Sequence, residues 1–226
     1  GRAAKVLSKY SNKQASTIHR KIYWIRSRKN GNTYIKIKEN THSNTIFIVD
    51  EASMIPEASD KSFGNRSLLD DLIEYVYDGI GCKLILIGDT AQLPPVHLDI
   101  SPALDEGFLE TSYNKDIITF TMKEVVRQSK DSTVLLNATN LRNRISEDDF
   151  GYPKFEVSQD VIRLQSGEEL QDSLETAYSQ SGVTNTIVLC RSNKRANIYN
   201  EQIRARIRFQ ENEISTGDML MVVRNN

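Results

Sequence analysis

Three short apolar runs constrain the fold most: Thr45-Ile46-Phe47-Ile48-Val49, Lys83-Leu84-Ile85-Leu86-Ile87 and Thr186-Ile187-Val188-Leu189. They show little polar alternation, which fits strands buried on both faces, as in parallel sheets. Patterns of helical period lie between them. Leu68, Leu69, Leu72, Ile73 and Val76 mark one apolar helix face, and Val134, Leu135, Ala138, Leu141 and Ile145 a second. Leu170, Leu174 and Ala177 mark a third. Strands alternating with helices predict an α/β fold. Nearer the N-terminus, Ala3 to Tyr10 and Ser16 to Trp24 read as short helices. Arg28-Lys29-Asn30-Gly31-Asn32 followed by Tyr34-Ile35-Lys36-Ile37-Lys38 reads as a small basic β-hairpin, inserted over about residues 25–42. The polar stretch from Glu110 to Asp116 reads as a turn into a second domain, dividing the chain into 1–115 and 116–226.

A length of 226 residues with 38% hydrophobic content allows one large or two small domains with real cores. No apolar run approaches the roughly 20 residues that a membrane span needs, and Gly1-Arg2-Ala3-Ala4-Lys5 does not open a signal peptide. Cys82 and Cys190 lie in or beside apolar runs, as free thiols do in a reducing cytoplasm. No Cys/His cluster has metal-ligand spacing. The net charge of −1 conceals an asymmetry. Gly1 to Lys38 holds eleven basic residues and no acidic one, leaving 18 basic against 30 acidic residues in the remainder. Tyr10, Tyr23, Trp24 and Tyr34 are interleaved with the basic residues. Positive charge with aromatic rings suits single-stranded nucleic acid, whose bases can stack. A solvated basic face with its rings turned inward is the alternative.

Two of the apolar runs end in acidic residues. Ile48-Val49 runs into Asp50-Glu51-Ala52-Ser53, and strand ends are where open α/β sheets bind ligands. For nucleotide hydrolysis, Asp50 is expected to hold Mg²⁺ and Glu51 to orient and deprotonate the attacking water. An Asp-Glu pair alone is as compatible with a surface turn. Leu86-Ile87 runs into Gly88-Asp89-Thr90-Ala91-Gln92-Leu93-Pro94-Pro95-Val96, a far more particular sequence. Here Gly88 is expected to permit a tight turn, and Pro94 and Pro95 to stiffen the backbone. The Gln92 amide can donate to a phosphate oxygen and accept from water. Further on, Arg127 in Glu124-Val125-Val126-Arg127-Gln128 offers a guanidinium of the kind that stabilises a phosphoryl transition state.

The order of these segments resembles the superfamily 1 helicases, within them the RecD-like and Dda-like group that moves 5′ to 3′. Gly1-Arg2-Ala3-Ala4 resembles the end of motif Ia, and Ser16-Thr17-Ile18-His19-Arg20 the DNA-contacting motif after it. Asp50-Glu51-Ala52-Ser53 is similar to motif II, Gly88 to Pro95 to motif III, and Val126-Arg127-Gln128 to motif IV. Cys190-Arg191-Ser192-Asn193 and Gly217-Asp218 through Asn226 resemble the second RecA-like domain. The resemblance implies two incomplete RecA-like parallel-sheet domains, the first carrying the hairpin where this group places its strand-splitting pin. It implies ATP and Mg²⁺ as cofactors, with Asp50, Gly88, Asp89, Gln92 and Arg127 around the nucleotide. Single-stranded DNA, at a fork junction or otherwise, would be held by Arg2, Thr17, His19, Pro94 and Pro95.

The pattern also breaks. No Gly-x-x-x-x-Gly-Lys-Ser/Thr segment, the phosphate cradle of such enzymes, occurs in the 226 residues. The resemblance places it upstream of motif Ia, and motifs V and VI beyond Asn226. The chain by itself is therefore expected to bind ATP poorly and not to hydrolyse it, and to risk self-association through an exposed sheet edge. Two other functions fit parts of the sequence: a non-catalytic single-stranded nucleic-acid-binding module, and a metal-dependent phosphohydrolase using Asp50, Glu51 and Asp89. RNA as the track stays open beside DNA.

Overall fold

The computed structural model describes residues 2–27, 33–57, 67–125 and 132–220. The chain forms two compact units, one of residues 1–127 and 142–150, the other of residues 128–141 and 151–226.

The first unit opens with helices α1 (Arg2–Ser11) and α2 (Ile18–Ile22). Thr17 caps α2, its hydroxyl oxygen accepting from Arg20 N at 3.4 Å. The second helix stops two residues earlier than expected. Tyr23 and Trp24 already belong to strand β1 (Tyr23–Ser27), because aromatic and β-branched residues suit the pleat better than a helix. Strand β2 (Thr33–Ile37) pairs with β1 antiparallel, in a register running from Tyr23↔Ile37 to Ser27↔Thr33. The hairpin is thus formed, and its Asn30-Gly31 turn lies outside the described residues.

Strands β3 (Ile46–Val49) and β4 (Lys83–Leu86) form a parallel pair, with Ile46 beside Lys83 and Val49 beside Leu86. Helix α3 (Leu68–Asp78) makes the crossover and buries Leu69, Leu72, Tyr75 and Val76. Phe47 meets Tyr75 edge-on at 5.8 Å. Parallel pairing agrees with the expectation, but burial on both faces does not. Ile46, Ile48 and Ile85 are 57%, 56% and 45% exposed. Among the described residues only one layer packs on these strands, so exposure alternates where the sequence does not. Beyond α3, Asn40 closes the helix end, its amide donating to Val76 O at 3.2 Å and accepting from His42 N at 3.0 Å.

A buried hydrogen bond ties the hairpin to α3: Tyr23 Oη donates to Asp71 Oδ2 at 2.7 Å. Both residues are almost wholly buried. Tyr23→Phe would remove this hydrogen bond from a buried carboxylate, with a cost of about 1–3 kcal/mol. The loss should appear as a lower urea midpoint. An unchanged midpoint would mean that the contact contributes nothing.

Residues 110–116 are not the turn expected. They fall largely in helix α4 (Glu106–Tyr113), which Asp105 caps by accepting from Phe108 N at 3.0 Å. Asn114 ends it in the left-handed conformation at φ 48°, donating to Glu110 O at 3.0 Å. Leu109 is the buried anchor, and the polar outer face hid the helix.

The regular structure of the second unit, among its described residues, is helical. It takes the first part of α5 (Thr133–Ser146), then α6 (Gly167–Ser181), α7 (Asn193–Gln202) and a π-helical turn at Ile203–Ile207. The Asp160 carboxylate accepts from Thr133 N at 2.9 Å and Ser132 Oγ at 3.0 Å, holding the start of α5. Asp218 is bound by Arg204, by Arg208 Nη1 at 3.3 Å and by Ser215 N at 2.8 Å. The third apolar run forms no strand. Ile187 and Leu189 are 80% and 85% exposed, and no described residue offers them a ladder partner, without which an isolated strand gains nothing. The expected second parallel sheet is therefore not formed among the described residues. No helix among the described residues is long and apolar enough to cross a membrane.

Candidate functional site

The parallel register of β3 and β4 brings their C-terminal ends side by side. Two backbone hydrogen bonds carry the pairing past the strands: Ile87 N donates to Val49 O at 2.8 Å, and Ala52 N to Ile87 O at 2.8 Å. The segments Asp50-Glu51 and Gly88-Asp89 thus leave the sheet together. Both carboxylates of the first segment are exposed. Asp50 Oδ1 accepts from Glu51 N at 3.0 Å. Glu51 adopts left-handed backbone angles, φ 59° and ψ 40°. A single 3₁₀ turn, Ala52–Met54, follows. Buried Ser101 anchors it, its hydroxyl lying 2.9 Å from Ala52 O and 2.7 Å from Ile55 O.

Gly88 was expected for a turn, and its use here is different. A Cβ at this position would lie 2.8 Å from Ser53 N and 2.7 Å from Leu104 Cδ1. The missing side chain lets the two loops touch. Asp89 is held on several sides. Arg142 forks onto it, Nη1 to Oδ1 at 2.8 Å and Nη2 to Oδ2 at 2.7 Å, and Ala91 N donates to Oδ1 at 3.0 Å. These bonds hold the Asp89 carboxyl below the usual carboxylate range, the Arg142 bond contributing most.

The other expected site residues are placed less tightly. Gln92 lies in the turn after β4, its N–H donating to Asp89 O at 3.1 Å. Pro94 and Pro95 are half-buried in the loop that continues. Thr17 serves as the α2 cap, and His19 on α2 has its ring 5.7 Å from that of Tyr23. Arg2 opens α1. Arg127 lies outside the described residues. Sequence alone gives no signal for Arg142, because its helix shows only an apolar pattern and its partner is 53 residues away.

A family match covers the segment that holds both loops: residues 1–152 match the AAA domain. The chain belongs to that family. AAA domains of this kind occur in superfamily 1 helicase-like proteins and carry a nucleotide-dependent, helicase-like function. No curated protein matches the chain.

In an AAA domain the strand-end acid is expected to meet Mg²⁺, and Asp50 fits that use. Its side chain makes no ion pair among the described residues, and Mg²⁺ is commonly bound by one or two carboxylates completed by water and phosphate. Asp89 does not fit it, since both its oxygens are committed to Arg142. Among the described residues no three His, Cys, Asp or Glu side chains gather around a metal-sized site. This geometry removes the support for a phosphohydrolase built on Asp50, Glu51 and Asp89.

Arg142→Ala should release Asp89. Its titration, followed by carboxyl NMR, is expected to return toward the ordinary value near 4. A depressed Asp89 favours the folded state above the unfolded pKa, and this contribution is lost as pH falls from about 4 through the lowered value. At neutral pH the half-exposed pair should contribute no more than about 1 kcal/mol. An Asp89 titration that does not move would show that Arg142 is not its principal partner.

Proposed function

We propose that this AAA domain chain is the core of a superfamily 1 DNA translocase of the RecD-like and Dda-like group, the exodeoxyribonuclease V alpha type. It would couple ATP hydrolysis to 5′-to-3′ movement on single-stranded DNA. The observation that carries the proposal is the pairing of two chemically distinct loops at the ends of adjacent parallel strands, stitched at 2.8 Å between Ala52 N and Ile87 O. One loop presents free carboxylates for water and metal. The other presents a neutral amide, Gln92, whose own loop is braced by Asp89 and Arg142. A change at the phosphate felt by Gln92 would pass directly into the backbone that carries Asp50 and Glu51.

In this scheme Glu51 would hold the attacking water and take its proton, and Asp50 would hold Mg²⁺. When bound, the metal neutralises charge on the phosphate oxygens. Gln92 would contact the terminal phosphate, and Arg127 would supply it with a guanidinium, as the resemblance implies. Arg2, Thr17, His19, Pro94 and Pro95 would contact the strand, as the resemblance implies. The basic, acid-free segment from Gly1 to Lys38 supports a polyanionic track, and a cytoplasmic setting suits the free thiols Cys82 and Cys190.

The test is ATP hydrolysis with and without single-stranded DNA, on a polypeptide in which a phosphate-binding loop segment precedes Gly1. Turnover stimulated by DNA is expected. DNA binding without any turnover would leave a non-catalytic binding module, and turnover indifferent to DNA would remove the translocase.

A further inference from the structure

The β1–β2 ribbon has two unlike faces. Tyr23 is buried, and Ile35 and Ile37 are half-buried against the core. Trp24 is 60% exposed, and its cross-strand neighbour Lys36 is exposed too. Lys38, just past the end of β2, reaches back over Trp24 with Nζ 5.0 Å from the ring centroid. The same ammonium donates to Arg20 O at 2.6 Å, which fixes it in place. The indole lies on the face of the ribbon opposite Tyr23, Ile35 and Ile37, which pack against the core, so burial in that core does not explain it. Its neighbours are cations, in a segment of eleven basic residues without an acidic one.

We propose that Trp24, with Lys36 and Lys38, is a base-stacking platform for single-stranded nucleic acid. The inference rests on the translocase reading for its ligand class, and it assigns to the hairpin a grip on the strand. An indole offers its face to any base, so the contact is tolerant of sequence, as movement along a strand requires. The two ammonium groups meet the phosphates on either side of the stacked base, while Lys38 also polarises the ring by a cation–π contact. A duplex keeps its bases stacked on each other and cannot use such a platform.

Trp24 is the single tryptophan of the chain, so its fluorescence reports on this site alone. The experiment titrates the full chain with a short oligothymidylate at low salt, reading indole fluorescence and the anisotropy of a label on the DNA. Binding should quench the indole. Trp24→Ala should weaken affinity roughly ten-fold or more, and Trp24→Phe should restore most of it. Circular dichroism of the alanine variant confirms that it is folded, as an exposed side chain leads one to expect. Anisotropy that rises without quenching, with wild-type affinity in Trp24→Ala, would overturn the platform and leave nucleic-acid binding intact. No rise in anisotropy at all would overturn both the platform and the track on which it depends. Equal quenching by a blunt duplex would overturn the single-strand assignment.

Discussion

Gly88→Ala is expected to destabilise the first unit by about 3 kcal/mol, the upper end of what a single added methyl does in a packed site. The two atoms it would strike differ in kind. Leu104 Cδ1, at 2.7 Å from the new Cβ, ends a side chain that can change rotamer. Ser53 N, at 2.8 Å, is backbone of the turn that Ser101 grips from the other side. The methyl must therefore push the loop after Gly88 away from the loop after Glu51, straining the Ala52 N to Ile87 O bond between them. A double-mutant cycle separates the two contributions. Leu104→Ala makes room on one side only, so the glycine substitution should remain costly in that background. Urea unfolding of the four proteins gives the comparison. If Gly88→Ala shifts the midpoint by less than the measurement can resolve, or if Leu104→Ala cancels the whole effect, the two loops are not in obligatory contact.

The same pair of loops shows where the sequence was informative and where it was not. That the Asp50-Glu51 segment and the segment from Gly88 to Gln92 leave the sheet at one end was legible, because each segment follows an apolar run. The reason for Gly88 was not legible, since it lies in Ser53 and Leu104, and no local pattern encodes a close approach of distant backbones. Arg142 was hidden for a related reason: a basic residue on an amphipathic helix looks solvated until its partner is known. The hairpin and α3 followed from alternation and helical period, whose signals are contained within a few residues. Failures came where burial had to be inferred. Ile46 and Ile48 read as buried on both sides because apolar runs do not say how many layers cover them. Ile187 and Leu189 read as a strand for their composition, but a strand exists only through its neighbour. Helix α4 gives little sequence signal because one buried leucine and two caps define it, Asp105 and Asn114, and caps are weaker in sequence than an apolar stripe.

Glu51 should separate stability from chemistry. Its left-handed backbone, φ 59° and ψ 40°, disfavours any residue with a Cβ by roughly 1–2 kcal/mol. Glycine removes that strain but loses more chain entropy on folding, about 0.5–1 kcal/mol. Glu51→Gly is thus expected to be neutral to slightly stabilising, by up to about 1 kcal/mol, and Glu51→Gln to leave stability within about 0.5 kcal/mol of the parent. Both changes leave the core untouched, because the side chain is exposed and Asp50 Oδ1 is met by the backbone N–H of residue 51 whatever its side chain. Turnover should respond in the opposite sense. In the polypeptide that carries a phosphate-binding loop, each substitution should lower hydrolysis by about 100- to 10,000-fold, the range for loss of a positioned general base. Gln is the more telling of the two, since it keeps the length and polarity of the side chain and removes only its basicity. Should Glu51→Gln hydrolyse ATP at the parent rate, Glu51 is not the base, and its strained backbone must serve only to aim Asp50. Should both variants lose turnover while Glu51→Gly gains stability, the strain at the end of β3 is retained for the chemistry, because a more stable alternative is a single substitution away.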